Sequence, residues 1–265
     1  MRGRDITDHV YLVAKELISV HGHVPIRDLD APHLAPIIAR WRRDYAKNTQ
    51  HNRTKALRRI LRDLSPLTGK PLHQCVPRIG EPKPPQQVVT AEQRAALLRV
   101  APQWLRLFIL LCADTAFRFS EAMHAKLSGY NRENRTITVP TKSGQDVTLP
   151  VTEELRVLIE SIPADGDPNE SMVTKLRGKE VDKWTIRYQW NRAKKRAGVP
   201  AHVRPHDFRR TAATSIWETT HDIRLVQQVL GHKSLQATAR YIVDRSPEQL
   251  RPLLEALKPA TELKQ

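Results

Sequence analysis

The chain has 265 residues and carries 44 Lys and Arg against 28 Asp and Glu, a net charge of +16. That length allows one large or two smaller domains, and that charge points to a polyanion partner, nucleic acid ahead of an anionic membrane. The longest apolar patch, Trp104 to Cys112, is interrupted by Arg106 and falls short of the roughly 18 residues that suggest a membrane span. The first eight residues lack the apolar core of a signal peptide, so the expectation is a soluble intracellular protein.

From the N-terminus, Val10, Val13, Leu17 and Ile18 recur at helical spacing behind a capping Thr7. Leu34, Ile37, Ile38 and Trp41 form a second stripe, beside Arg40, Arg42 and Arg43. Leu57, Ile60, Leu61 and Leu64 form a third, flanked by Arg53, Lys55, Arg58, Arg59 and Arg62. Basic residues sharing helices with an apolar face predict a small helical module laid on phosphates, with Arg42, Arg43, Lys55, Arg58 and Arg59 as the DNA-contact candidates. Pro66, Pro71, Pro77, Pro82, Pro84 and Pro85, with Gly69 and Gly80 among them, then break any helix. A domain boundary is placed after residue 85. Residues 1–88 hold 16 Lys and Arg against 8 Asp and Glu and the rest hold 28 against 20, so each part is about +8 and each offers a surface to the same polyanion.

Thr90-Ala-Glu-Gln93 reads as a capping box, and Gln103 to Phe117 as a long apolar helix with Cys112 in its core. With only Cys75 besides, the cysteines argue against a disulfide framework or a cysteine zinc site. Thr136–Pro140 and Asp146–Pro150 predict two short strands joined by a hairpin turn at 141–145. Further helices are expected near 152–162, 180–197, 207–219, 222–230 and 235–243, with a loop at 163–170. The predicted fold class is mainly α with a small antiparallel β-sheet (α+β): a helical domain over 1–85, and a second domain over 86–265 whose helical tail aligns Leu250, Leu253, Leu254 and Leu257.

The chemistry concentrates in Pro205-His206-Asp207-Phe208-Arg209-Arg210-Thr211, then Leu230-Gly231-His232, then Tyr241. Guanidinium and imidazole donors hold phosphate oxygens, and a phenol can attack phosphorus. Arg118 and Glu121 stand three residues apart after the apolar helix. Taken without their neighbours, residues 222–242 can also pass for a DNA-binding helix-turn-helix, and His206-Asp207 for part of a metal site. No clear metal-ligand spacing and no Gly-x-x-x-x-Gly-Lys-Ser/Thr loop is present.

Taken together, Cys112-Ala-Asp-Thr-Ala-Phe-Arg118-Phe-Ser-Glu121, the turn Lys142, His206-x-x-Arg209, Gly231-His232 and Tyr241 resemble the tyrosine recombinases of the phage-integrase family. The resemblance covers residues 90–245 by motif, and 1–85 by general pattern as a core-binding domain. It implies that Arg118 and Arg209 bind the scissile phosphate, that His206 and His232 assist, and that Glu121 supports the site. Lys142 would be the general acid and Tyr241 the nucleophile of a 3′-phosphotyrosine intermediate, with no cofactor, metal or ATP. It further implies double-stranded DNA as substrate, a homotetramer on two DNA sites, accessory DNA-bending or directionality factors, and a cytoplasmic, nucleoid-associated setting in a prokaryotic or phage-infected cell. A separate arm-site-binding domain is not expected. A DNA-binding regulator, an inactive recombinase-like protein and a type IB-like topoisomerase are the alternatives. The chain departs from the family pattern at Ala116, where glycine is frequent, at Phe208, where leucine is usual, and at Arg210, where histidine is frequent.

Overall fold

The computed structural model describes residues 4–80, 88–141, 144, 146–163 and 167–239. The chain divides into two compact units, residues 1–85 and 86–265. Lys142, Tyr241, the end of the last expected helix and the leucines of the tail lie outside the described residues. Among those described, no helix is long and apolar enough to cross a membrane.

The first unit holds three helices, α1 (Arg4–His21), α2 (Ala31–Asp44) and α3 (Lys47–Thr68), with short 3-10 turns at Ile26–Asp28 and Leu72–Gln74. Thr7 falls inside α1, so it is not the cap expected of it. Asp30 caps α2 by accepting from the His33 N–H, and its carboxylate also meets the His33 ring. Val13, Leu34, Ile37, Ile38, Trp41, Leu57 and Leu61 interlock as the core. Ile18 is 69% exposed, because α1 turns the side of Val13 and Leu17 inward. Pro66 lies within α3 rather than ending it; so near the C-terminus a proline removes one internal hydrogen bond, and the helix runs on to Gly69, whose φ is 65°.

Two arginines of the basic stripes close on one carboxylate. Glu16 on α1 accepts from Arg40, from Trp41 Nε1 at 2.9 Å and from Arg53 Nη1 at 2.5 Å, which ties all three helices together. Burial raises the Glu16 pKa, but the hydrogen bonds from Trp41 and Arg40 and the charge of Arg53 outweigh it and hold the carboxyl below its usual range. Arg53 also lies over the Tyr45 ring, 4.3 Å from its centroid.

The second unit is built on α5 (Gln103–Asp114), whose residues Trp104, Leu105 and Leu107–Cys112 are all buried. Burying each such large apolar side chain contributes roughly 1.5–3 kcal/mol. Around it pack α7 (Glu153–Glu160), α8 (Met172–Arg177), α9 (Lys183–Ala197) and α10 (Pro205–Thr220), and α4 (Ala91–Val100) packs against α9. Thr90 opens α4 through the expected capping box with Gln93. A three-stranded antiparallel sheet, β1 (Tyr130–Asn131), β2 (Thr136–Pro140) and β3 (Asp146–Pro150), lies at one side in the order β1-β2-β3. Its register pairs Ile137 with Leu149 and Val139 with Val147, and Ile137, Val139 and Leu149 are buried. The described part of the chain ends with α11 (Ile223–Leu230) and α12 (Leu235–Ala239). The fold is therefore mainly α with one small antiparallel sheet. The short helices Phe119–Met123 and α8, the strand β1 and the 3-10 turns are not among the predicted elements. Both thiols are free: Cys112 is buried in α5 and Cys75 is exposed.

Candidate functional site

The site gathers where the ends of three helices meet. α5 stops at Asp114, and Ala116 takes a left-handed φ of 56°. That conformation is strained for alanine and natural for glycine, the residue the family pattern favours here. The turn sends the Ala116 carbonyl toward α10 and leaves Arg118 as the N-cap of α6 (Phe119–Met123). The Arg118 backbone N–H donates to Glu121 Oε2 at 2.8 Å and its Nη1 to Glu121 Oε1 at 2.6 Å. Glu121 is buried, whereas 28% of the Arg118 side chain stays open to solvent.

Arg209 reaches the same point from α10 and is 1% exposed. Its Nη1 donates to the Ala116 carbonyl at 2.6 Å and its Nη2 to the Leu230 carbonyl at 2.5 Å. Glu121 Oε2 lies 3.9 Å from Arg209 Nη1, so one carboxylate stands between the two guanidiniums. α11 then ends on Gly231 at φ 57°, which turns His232 back onto Arg209 with Nε2 3.1 Å from Nη2. A methyl group on Gly231 would come within 2.6 Å of Val147 Cγ2, so β3 seats directly against the turn that carries His232. Gln227 grips that turn from both sides, accepting from the His232 N–H at 3.1 Å and donating to its carbonyl at 2.8 Å.

Desolvation lowers the His232 pKa to about 4, helped by the charges of Arg209 and Arg118. His206, one turn before Arg209 and exposed, is lowered by desolvation and then by Arg209, Arg210 and Arg118, against the opposing charge of Asp207. Both shifts favour the neutral imidazole, and His232, near 4, is neutral at pH 7. Among the described residues, no group of three or more His, Cys, Asp or Glu comes together to hold a metal ion.

The structure thus brings Arg118, Glu121, Arg209 and His232 together, with His206 beside them. The five DNA-contact candidates of the first unit form no single patch. Exposed Arg42 and Arg43 line one hollow, while Lys55, Arg58 and Arg59 line a groove of about 770 Å³ together with Arg62 and Arg78. Arg58 is partly committed, since its Nη1 donates to the Val76 carbonyl. Sequence reading missed the outer face of α9. There Lys183, Arg187, Arg192, Lys195 and Arg196 are exposed, with Trp184 and Tyr188 each 62% exposed among them and no acidic residue anywhere in the helix. Lys183 and Arg187 approach the Trp184 ring and Arg192 the Tyr188 ring. Cation pairs four residues apart, Lys183 with Arg187 and Arg192 with Arg196, beside buried Ile186 and Trp190 were the available signal.

Residues 87–247, which span Arg118 through Tyr241, match the model of the phage integrase family. The chain belongs to that family. The tyrosine recombinase XerA of Pyrococcus furiosus is 31% identical over 181 residues, 64% of this chain and 63% of the relative. The tyrosine recombinase XerC of Staphylococcus saprophyticus is 28% identical over 151 residues, 55% of this chain and 51% of the relative. The alignments therefore span between half and two thirds of those relatives. This phage integrase family member also shares its fold with solved structures. The XerH site-specific recombinase bound to palindromic difH in a post-cleavage complex superposes with a TM-score of 0.69 at 19% identity, over 93% of this chain and 77% of that one. The Tn1549 transposon integrase in complex with transposon right end DNA superposes with a TM-score of 0.73 at 17% identity, over 97% and 95%.

Proposed function

We propose that this phage integrase family member is a site-specific DNA recombinase that cleaves and rejoins strands through a 3′-phosphotyrosine on Tyr241. The observation that carries the reading is the meeting of Arg118, Glu121, Arg209 and His232, drawn from positions spread over more than a hundred residues, in a member of this family. Attack on a phosphodiester moves charge onto its nonbridging oxygens, and donors already fixed there stabilise that charge without reorganising. Arg118 offers the more solvent-open guanidinium, while Arg209 is held from behind by two carbonyls. The Tyr241 phenol gives its proton to a neutral site imidazole as its oxygen forms a bond to phosphorus and the bond to the 5′-oxygen breaks, and Lys142 supplies the proton that the leaving oxygen takes. A second 5′-hydroxyl reverses the step, so the phosphoester bond is conserved and no ATP is consumed. The guanidiniums take the electrostatic part that metal ions play in other phosphoryl transfers.

Double-stranded DNA is the substrate in this reading. The groove at Lys55, Arg58 and Arg59, the hollow at Arg42 and Arg43, and the α9 face supply sequence-independent phosphate contacts. Four protomers on two sites, aided by DNA-bending or directionality factors at the nucleoid of a prokaryotic or phage-infected cell, complete the proposal.

The test is covalent trapping. Full-length protein is incubated with nicked, sheared genomic DNA from the encoding cell, denatured, and the protein-linked fragments are sequenced. Adducts that map to Tyr241 by peptide mass spectrometry and vanish in Tyr241→Phe support the reading. No adduct on DNA that the protein measurably binds overturns it and leaves a DNA-binding regulator. With adducts in hand, strand exchange between two recovered sites marks a recombinase, and relaxation of supercoiled plasmid without exchange marks a topoisomerase.

A further inference from the structure

We infer that Thr238 is the positioning residue of His232, its hydroxyl serving Nδ1 in whichever protonation state the reaction requires and so aiming Nε2 at the scissile phosphate. The catalytic part of this inference rests on the recombinase reading above; the hydrogen-bond part stands independently.

A guanidinium has donors only, so at 3.1 Å from Arg209 Nη2 the His232 Nε2 must accept. The neutral ring then carries its proton on Nδ1. Nδ1 lies 3.0 Å from Thr238 Oγ1, which accepts that proton's hydrogen bond. Thr238 is fully buried on α12, so water does not compete for its hydroxyl. This arrangement cannot itself donate from Nε2 to a phosphate oxygen. Once phosphate draws the arginine donor away, two states can donate. In the imidazolium, Nε2 gains a proton from solvent while Nδ1–H stays on Thr238. In the other neutral tautomer the proton sits on Nε2, with no net change in proton count, and Nδ1 accepts from the Thr238 hydroxyl. A hydroxyl serves both states because it donates and accepts, whereas a methyl group serves neither. The charged and titratable groups acting on the ring are Arg209 and His206 from α10 and Arg118 and Glu121 from the α6 segment. Thr238 also stands three residues ahead of Tyr241 in the sequence.

The experiment uses the full chain with ¹⁵N-labelled histidine, comparing wild type, the near-isosteric Thr238→Val and the hydroxyl-retaining Thr238→Ser, with His232→Gln to assign the resonance. Without DNA at pH 7, wild type and Thr238→Ser should show His232 protonated on Nδ1 with a protected proton, and Thr238→Val should lose that protection. On the fragments recovered by trapping, Thr238→Val should slow adduct formation by about tenfold to a hundredfold, the scale seen when the partner that orients a metal-ligating histidine is removed. It should also shift the pH midpoint of the reaction with DNA affinity unchanged, and Thr238→Ser should restore both. A wild-type Nδ1 resonance that Thr238→Val leaves unchanged, in either tautomer, overturns the inference. So does a folded Thr238→Val protein with wild-type rate and pH profile. Should Thr238→Val fail to fold, a Thr238→Ser protein lacking the Nδ1 proton overturns it and one retaining that proton supports it. If wild type forms no adduct, the recombinase reading falls, while the tautomer measurement still decides the Thr238 contact.

Discussion

Replacing Arg209 by alanine should cost far more stability than replacing Arg118, although both are assigned to the same phosphate. Arg209 is 1% exposed and supplies donors to the Ala116 and Leu230 carbonyls. Each buried polar group stripped of its partner costs about 1–3 kcal/mol, and Glu121 also loses a nearby positive charge. The sum is about 3–5 kcal/mol. Arg118 is partly solvated, and Glu121 keeps the Arg118 backbone N–H after truncation, so its loss should cost roughly 1 kcal/mol. For a domain of this size 1 kcal/mol corresponds to about 2–4 °C in Tm. Differential scanning calorimetry should therefore place Arg209→Ala roughly 6–20 °C below wild type and Arg118→Ala within about 4 °C. Equal shifts for the two variants would refute the assignment of Arg209 as both a site residue and a structural tie.

Gly231→Ala should destabilise the second unit by about 1–3 kcal/mol, combining left-handed strain with the clash on Val147, and Val147→Ala should relieve only the clash; urea melts of both single variants and the double read this directly, and strict additivity would rule out the contact. Because the His232 pKa falls to about 4 from 6.5, the unfolded chain binds more protons between those values. Stability contributed by the neutral ring is thus present above about 6.5 and lost as pH drops toward about 4, and His232→Gln should flatten that limb in a pH series of melts. Arg187→Ala and Arg192→Ala should each lower the slope of log affinity against log salt by about one on duplex DNA; unchanged slopes would remove the α9 face from the DNA surface.

Helical periodicity alone placed Leu34, Ile37, Ile38 and Trp41 on a buried face, and alternation alone placed Ile137, Val139 and Leu149 in the sheet. Both are local properties, since a side chain's face follows from its spacing along its own element. Elements as short as β1, with two residues, or α8, with six, contain too few positions to show a period. Periodicity also says nothing about where a long cation turns. Arg40 and Arg53 sit among surface-like charges yet close on Glu16, 24 and 37 residues away.

In the site, the order of Arg118, His206, Arg209, His232 and Tyr241 along the chain is what raises the expectation of phosphoryl chemistry, because residue type decides what can donate, accept or attack. Tertiary structure alone decides which donors are already engaged. Arg209 spends its terminal nitrogens on carbonyls 93 and 21 residues distant, Ala116 is held in a backbone conformation suited to glycine, and Thr238, an ordinary helical threonine by sequence, meets the imidazole of His232. Those outcomes depend on long-range closure of the chain around α5, which no local pattern of residues encodes.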